Sequence, residues 1–270
     1  MVEQCPLVII SVLNWNGGEK TIRCLDSLKM LTYERFKIVV VDNASTDGSV
    51  ERLRQAHPDI EVIRSSENLG YAAGNELAVK RALAADADLL WIVNNDATVH
   101  PDSLTQLVSA YLRHGTALYG GLPLNTSALS PDSQVLFARK FLAPVYKESL
   151  VPSRHLTYAE MFPDTQARQV GALSGSCLLI PLSLVRQYGF MDTSFFMYSE
   201  EIDYCLRLRQ KGVACYLVPQ AVVFHIKAGS SKGSVRLTGI VSYYRLRNHL
   251  IRIRPFWYFA LRDQAAPAEL

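Results

Sequence analysis

Side chains able to do acid–base or metal chemistry gather at a few places in this chain, and most of them follow an apolar run. Asn14 and Asn16 come just after Leu7–Leu13, Asp42-Asn43 after Lys37–Val41, and Asn94-Asn95-Asp96 after Leu89–Val93. In an open parallel sheet, ligands bind beyond the carboxyl ends of the strands, so three polar clusters at three strand ends mark one rim. Taken singly, each also suits an ordinary turn, because Asn, Asp and Gly are what turns use. Asp96 beside two side-chain amides offers the oxygen donors that a hard divalent cation takes. One carboxylate alone would hold the ion weakly, so a diphosphate would have to complete the shell.

A further cluster, Glu200, Glu201 and Asp203, follows the aromatic run Phe195-Phe196-Met197-Tyr198. Acids in the first turn of a helix complement its dipole. The same residues against aromatic walls suit a general base. Sequence position does not separate these two readings. His225 ends an apolar strand and suits either a metal ligand or a structural imidazole.

The elements that must hold these groups alternate regularly. Strands are expected over Leu7–Leu13, Lys37–Val41, Ile60–Ile63, Leu89–Val93 and Ala117–Gly120, with helices over Lys20–Met30, from Gly48 to Ala56, over Gly70–Ala84, and from Pro101 to Arg113. Such alternation predicts an α/β fold, a parallel sheet covered on both faces. The rhythm breaks after Gly121, and the proline-bearing stretch 122–169 reads as a loop-rich insertion. Order resumes over Val170–Ile180, and helices over Pro181–Tyr188 and Glu200–Lys211 and two short strands, Ala214–Val218 and Ala221–His225, follow. The domain therefore divides into a first half, 1–121, the insertion, and a second half, 170–236. An amphipathic basic segment, 237–270, closes the chain.

Composition limits the function classes. With 270 residues, 49% hydrophobic and 20% charged, the chain has ordinary globular composition. No apolar run reaches membrane length. Five cysteines without a CxxC pair argue against a disulfide framework or a zinc knuckle and suit a reducing compartment, with cytoplasm the expected location. No basic leader is evident at Met1–Gln4. The net charge of +3 hides an asymmetry: Tyr204–Arg262 carries eleven Lys and Arg and no Asp or Glu. That segment suits an anionic partner such as a phosphate, a diphosphate or a lipid surface. No GxGxxG or GxxxxGK[ST] loop is present, which weakens oxidoreductase and NTPase readings.

Taken together, Val39-Val-Val-Asp-Asn-Ala-Ser-Thr-Asp-Gly48, Glu67-Asn-Leu-Gly-Tyr-Ala-Ala-Gly-Asn75, Asn94-Asn-Asp96, Glu200-Glu-Ile-Asp-Tyr-Cys-Leu-Arg207 and Tyr243-Tyr-Arg-Leu-Arg-Asn248 resemble glycosyltransferase family 2 in order and spacing. They look most like its bacterial rhamnosyltransferase branch. The resemblance implies a GT-A fold, a nucleotide-diphospho-sugar donor, a divalent metal (Mg2+ or Mn2+) and inversion at the anomeric carbon. By position it implies that Asp42 pairs with the base, with Asn14 and Asn68 in the same pocket. Asp96 matches the metal-binding Asp of a DxD motif, Asn94 stands where many members have the first Asp, and Asn95 lies between them. Glu201 falls where the family has its catalytic Asp, leaving Glu200 and Glu201 not fully distinguished as base. His225 matches a position that often completes the metal site. Gly175 and Tyr198 would line the donor-sugar and acceptor pocket.

The partners so implied are a nucleotide-sugar donor and a glycan or lipid-linked glycan acceptor. No nucleic acid is expected, because the basic segment carries no recognised nucleic-acid motif. In 237–270, arginines alternate with aromatic and aliphatic residues. That pattern suits peripheral contact with the inner face of the plasma membrane; packing on the domain, or on a second copy in a homodimer, suits it equally. Rival readings are a sugar-nucleotide nucleotidyltransferase and a degenerate binding module. The first wants a basic residue right after strand one, where the chain reads Leu13-Asn-Trp-Asn-Gly-Gly-Glu19; Asp96 with Glu200 and Glu201 argues against the second.

Overall fold

The computed structural model describes residues 5–124, 166–225, 239, 242–244 and 246–248. The centre of the 122–169 stretch and most of 237–270 lie outside the described residues. The first four strands and their helices follow the expected alternation: β1 (Val8–Asn14), α1 (Gly18–Lys29), β2 (Phe36–Asp42), α2 (Ser49–Ala56), β3 (Glu61–Arg64), α3 (Gly70–Ala84) and β4 (Leu89–Asn94). The chain continues through β5 (Thr98–Val99), α4 (Ser103–His114), β6 (Leu118–Leu124), β7 (Arg168–Gln169) and β8 (Cys177–Pro181). It ends in α5 (Leu182–Tyr188), α6 (Glu200–Arg209) and β9 (Cys215–Phe224).

Among the described residues these strands form one sheet in the order β3-β2-β1-β4-β8-β6-β9-β5, with β7 on β9. Side chains alternate across it, as strand geometry requires. Ile9, Val39, Val41, Leu90 and Ile92 face α3, α5 and α6, while Val8, Ile10, Val12, Val40, Trp91 and Val93 face α1, α2 and α4. Each such aliphatic side chain contributes about 1.5–3 kcal/mol by leaving water. Both faces are therefore covered, as the continuous apolar runs require. No helix among the described residues is long and apolar enough to cross a membrane.

The sheet is mixed, as a mostly parallel GT-A sheet allows. Pairings β1·β2, β1·β4, β2·β3 and β6·β9 are parallel, but β8 runs antiparallel between β4 and β6. Within Val170–Ile180 the Ser174-Gly-Ser176 turn delays the start of β8 until Cys177. Ala214–Val218 and Ala221–His225 are not two strands. They form a single β9, whose register on β6 jumps from Gly121↔Val218 to Leu122↔Val222 around Pro219. A proline cannot donate to the ladder, so the interruption appears as a bulge. Strand β6 runs past Gly120 to Leu124 on the same partner, and β5, too short to show periodicity, lies against Val223 and Phe224.

Strand order reverses at β1: the chain leaves it for β2 and β3, then returns through α3 to β4 on the other side. The crevice for a ligand opens at such a reversal, beyond the carboxyl ends of β1 and β4.

Candidate active site

At that crevice a hydrogen-bond chain ties three strand ends together. Asn95 Nδ2 donates to Thr21 Oγ1 (3.0 Å), and Thr21 Oγ1 donates to Asn14 Oδ1 (2.7 Å). Asn14 Nδ2 lies 2.9 Å from Asp42 Oδ1 and 3.1 and 3.2 Å from the hydroxyls of Ser45 and Ser49. The other Asp42 oxygen accepts from the Ser45 amide (3.2 Å) and faces the Arg64 guanidinium at 3.5 Å. Asn14, Thr21, Asp42 and Ser49 are fully buried. A buried polar group left unpaired costs about 1–3 kcal/mol, so this closed network fixes the crevice wall. The parallel register places Asn14 directly beside Asp42. Asn14, expected in the base pocket, thus has its amide engaged within the protein, and Asn16 braces the same loop by accepting from the Thr46 amide (2.9 Å).

The Glu67–Asn75 motif is held by Asn43. Its Nδ2 donates to Asn68 Oδ1 (2.8 Å) and Gly70 O (3.0 Å), and its Oδ1 accepts from the Leu69 amide (2.9 Å). Gly70 has φ +78°, a left-handed conformation, and a Cβ there would run into the Phe196 carbonyl. This glycine is required twice over, by backbone conformation and by close approach.

Next to Asn95, His225 Nε2 stands 2.9 Å from Asp96 Oδ1. Two residues 129 positions apart meet because β9 brings its end beside the turn after β4. Burial would raise the Asp96 carboxyl, but the hydrogen bond and charge of His225 and the ammonium of Lys20 outweigh it and hold the group below the usual carboxylate range. The residues fit a divalent ion: neighbouring ligands on an octahedral ion with bonds of about 2.1 Å lie about 3 Å apart. The other imidazole nitrogen, Nδ1, is buried without a hydrogen-bond partner. Among the described residues no group of three His, Cys, Asp or Glu side chains forms a metal cage. Oxygen donors from a substrate would have to complete the coordination.

The acidic cluster resolves into unlike members. Asp203 is paired to Arg207 one turn on, at 2.7 Å. Glu200 is buried at 4% exposure, and Glu201 is half-buried beside it on α6. Both act on Tyr71: burial first, then the charges of Glu200 and Glu201, push its phenol well above its ordinary value. Tyr71 therefore remains a neutral donor, and its hydroxyl donates to Gly175 O at 2.6 Å. A Cβ at Gly175 would stand 2.8 Å from that hydroxyl, so the glycine admits the tyrosine. The adjoining Ser176 carbonyl accepts from the Asn94 amide (3.3 Å), which links this turn to the end of β4. Helix α6 is entered through two successive left-handed residues, Tyr198 (φ 68°) and Ser199 (φ 75°). Neither is glycine, and such a conformation costs about 1–2 kcal/mol per residue.

Sequence reasoning named Asp96 with His225, and Glu200 with Glu201, and the fold brings each pair together. It did not single out Tyr71 or Thr21, and it gave Asn43 only as part of a strand-end cluster. Tyr71 and Asn43 lie inside quoted motifs, but their partners are far along the chain. Thr21 sits on the buried face of an amphipathic helix, where a threonine gives no local sign of its role.

Residues 7–189 match the family model described as Glycosyl transferase family 2. The N-acetylglucosaminyl-diphospho-decaprenol L-rhamnosyltransferase of Mycobacterium tuberculosis is 29% identical over 86% of this chain and 78% of its own length. Rhamnosyltransferase WbbL of Escherichia coli is 28% identical over 81% of this chain and 82% of its own. Among solved structures, the mannosyltransferase PcManGT from Pyrobaculum calidifontis, in complex with GDP-Man and Mn2+, superposes with a TM-score of 0.64 at 19% identity. That match covers 98% of this chain and 67% of that one and identifies the sheet and its helices as a GT-A fold. With the family model spanning most of its length, the chain belongs to glycosyl transferase family 2 and is a glycosyltransferase.

Proposed function

We propose that this glycosyltransferase moves L-rhamnose from dTDP-rhamnose to a hydroxyl of a lipid-diphosphate-linked glycan, with inversion at the anomeric carbon. The observation that carries the chemistry is the pairing of Asp96 with His225 just beyond β4, together with two carboxylates at the start of α6 whose charges reach Tyr71, itself bonded to the Gly175 turn that is tied to the end of β4. Rhamnosyl transfer is supported by both bacterial relatives, and the lipid-linked acceptor by the mycobacterial one.

Asp96 and His225 would hold a divalent ion, Mg2+ or Mn2+. When bound, that ion neutralises charge developing on the departing diphosphate. Asp42 reads the nucleotide base, kept in place by Asn14 and Ser45, and Asn68 and Asn95 border the same pocket. Glu201 is the general base: it takes the acceptor hydroxyl proton as the oxygen–C1 bond forms and the bond from C1 to the diphosphate oxygen breaks. Its half-burial leaves it reachable by an acceptor, whereas Glu200 is enclosed. Gly175 and Tyr198 line the sugar and acceptor side. Attack opposite the leaving group needs no covalent intermediate.

A donor screen tests the reading. With Mn2+ and a short-chain polyprenyl-diphospho-N-acetylglucosamine acceptor, dTDP release from dTDP-rhamnose should exceed release from UDP- and GDP-sugars at least tenfold. Faster turnover of a UDP- or GDP-sugar would overturn the rhamnosyl assignment. Pyrophosphate production from a nucleoside triphosphate and a sugar phosphate would replace it by nucleotidyl transfer.

A further inference from the structure

The backbone that delivers Glu200 and Glu201 is held largely by side chains from nearly fifty residues further on. Asn248 is fully buried, and its Nδ2 donates to both Met197 O and Tyr198 O, each at 2.7 Å. Successive carbonyls of an extended chain point in opposite directions. One amide group can reach two of them only where the backbone turns between them, as the left-handed Tyr198 and Ser199 make it do. The amide is itself oriented: Asn248 Oδ1 accepts from Arg247 Nη1 (2.9 Å), and the same nitrogen donates to Ser194 O (3.1 Å). The rings of Tyr244 and Phe196 stack at 5.2 Å. The Phe196 carbonyl accepts from the Tyr71 amide (2.7 Å), fastening the loop to α3 as well.

We infer that Asn248 is a positioning residue for the acidic pair: by clamping the Met197 and Tyr198 carbonyls, with Arg247 setting its orientation, it holds the strained turn that aims Glu201 into the crevice. The inference rests on the reading of Glu201 as base. Nothing about Asn248 touches substrate; it acts through the turn. The exposed face of the same helical residues, with Tyr243 and Leu246, points away from this contact. Tyr244, Arg247 and Asn248 thus support the acceptor side of the site.

Asn248→Asp is isosteric and replaces the double donor by an acceptor facing two carbonyls. It should accelerate amide hydrogen exchange at residues 199–203 at least tenfold. It should also lower kcat about 10- to 100-fold, as a displaced catalytic group does, while KM for dTDP-rhamnose and calorimetric affinity for dTDP with Mn2+ change less than twofold. Arg247→Leu, which leaves the amide in place but unoriented, should move the same readouts in the same direction by less. Ser199→Gly, which adopts the left-handed conformation without strain, should restore several-fold activity to Asn248→Asp.

A double-mutant cycle separates the two claims. On a Glu201→Gln background, Asn248→Asp should have almost no further effect on kcat; an undiminished loss there overturns positioning through Glu201. Full activity of Glu201→Gln alone overturns its role as base and, with it, the clamp's catalytic consequence. Unchanged exchange at 199–203 in folded Asn248→Asp and Arg247→Leu overturns the clamp itself, whatever the activity. If the wild-type chain does not turn over dTDP-rhamnose, the donor assignment alone fails and the exchange measurement still decides.

Discussion

The two walls of the crevice are built in opposite ways. On the donor side, Asn14, Thr21, Asp42 and Asn95 are fastened to one another across adjacent parallel strands, and three of the four are completely buried. Their positions follow from the register of a sheet whose core costs much to deform. On the acceptor side, Glu200 and Glu201 begin a helix entered through a strained turn, with its tethers drawn from α3 and from the Tyr244–Asn248 region. One wall is fixed by neighbours in the sheet, the other by a remote part of the chain.

Replacing the base should give the largest effect. Glu201→Gln should lower kcat about 10²–10⁴-fold with donor affinity retained, the span of lost general-base catalysis. Glu200→Gln being inactive while Glu201→Gln stays active would exchange the two roles. Asp96→Ala comes next: dTDP binding in Mn2+ should weaken at least tenfold and barely change in EDTA, read by calorimetry, because the lost interaction is the bridge through the ion. Equal weakening in both solutions would remove Asp96 from metal binding.

A stability measurement sharpens the contrast between the walls. Thr21→Val deletes the hydroxyl that links Asn95 to Asn14 and leaves both amides short of a partner. It should cost about 1–3 kcal/mol of unfolding free energy in a denaturant titration. A neutral result would mean that water replaces the hydroxyl and that the donor wall is less closed than its bonds indicate. Smallest of all, Asp203→Asn breaks a partly exposed i,i+4 pair with Arg207 and should cost about 0.3–1 kcal/mol, with kcat within a few-fold of wild type. A collapse of activity there would extend the acidic pair to a triad.

The sequence made the donor wall far more legible than the acceptor wall. Strands β1 and β4, and the second half of β2, announce themselves by apolar runs ending in polar residues, and α3 has the predicted limits, Gly70–Ala84. Those signals are local, because these strands are buried on both faces, whereas the short edge strand β3 is only partly covered. Asn248 closes the Tyr243–Asn248 motif, but nothing local gives its role: the carbonyls it clamps are backbone atoms fifty residues away. The antiparallel course of β8 was equally hidden, since strand direction depends on how the chain returns from 125–165 and leaves no trace in periodicity. In β9, Pro219 divided one strand into two apparent ones, the proline being accommodated by the jump in register against β6.

Strand β9 has a consequence for the order in which the enzyme becomes competent. It pairs with β5, β6 and β7, and the His225 amide at its end donates to Leu124 O at 2.9 Å. During synthesis, β1 to β4 and their helices emerge long before it, with Asp96 already in the chain but its imidazole partner not yet made. The Asp96–His225 contact forms only when the distant end of the sheet closes. Strands β1 to β4 can therefore pair early, while the Asp96–His225 contact arrives only with β9, the last of the described strands to be made, and under the proposed reading the ion's protein ligands come together only at that point.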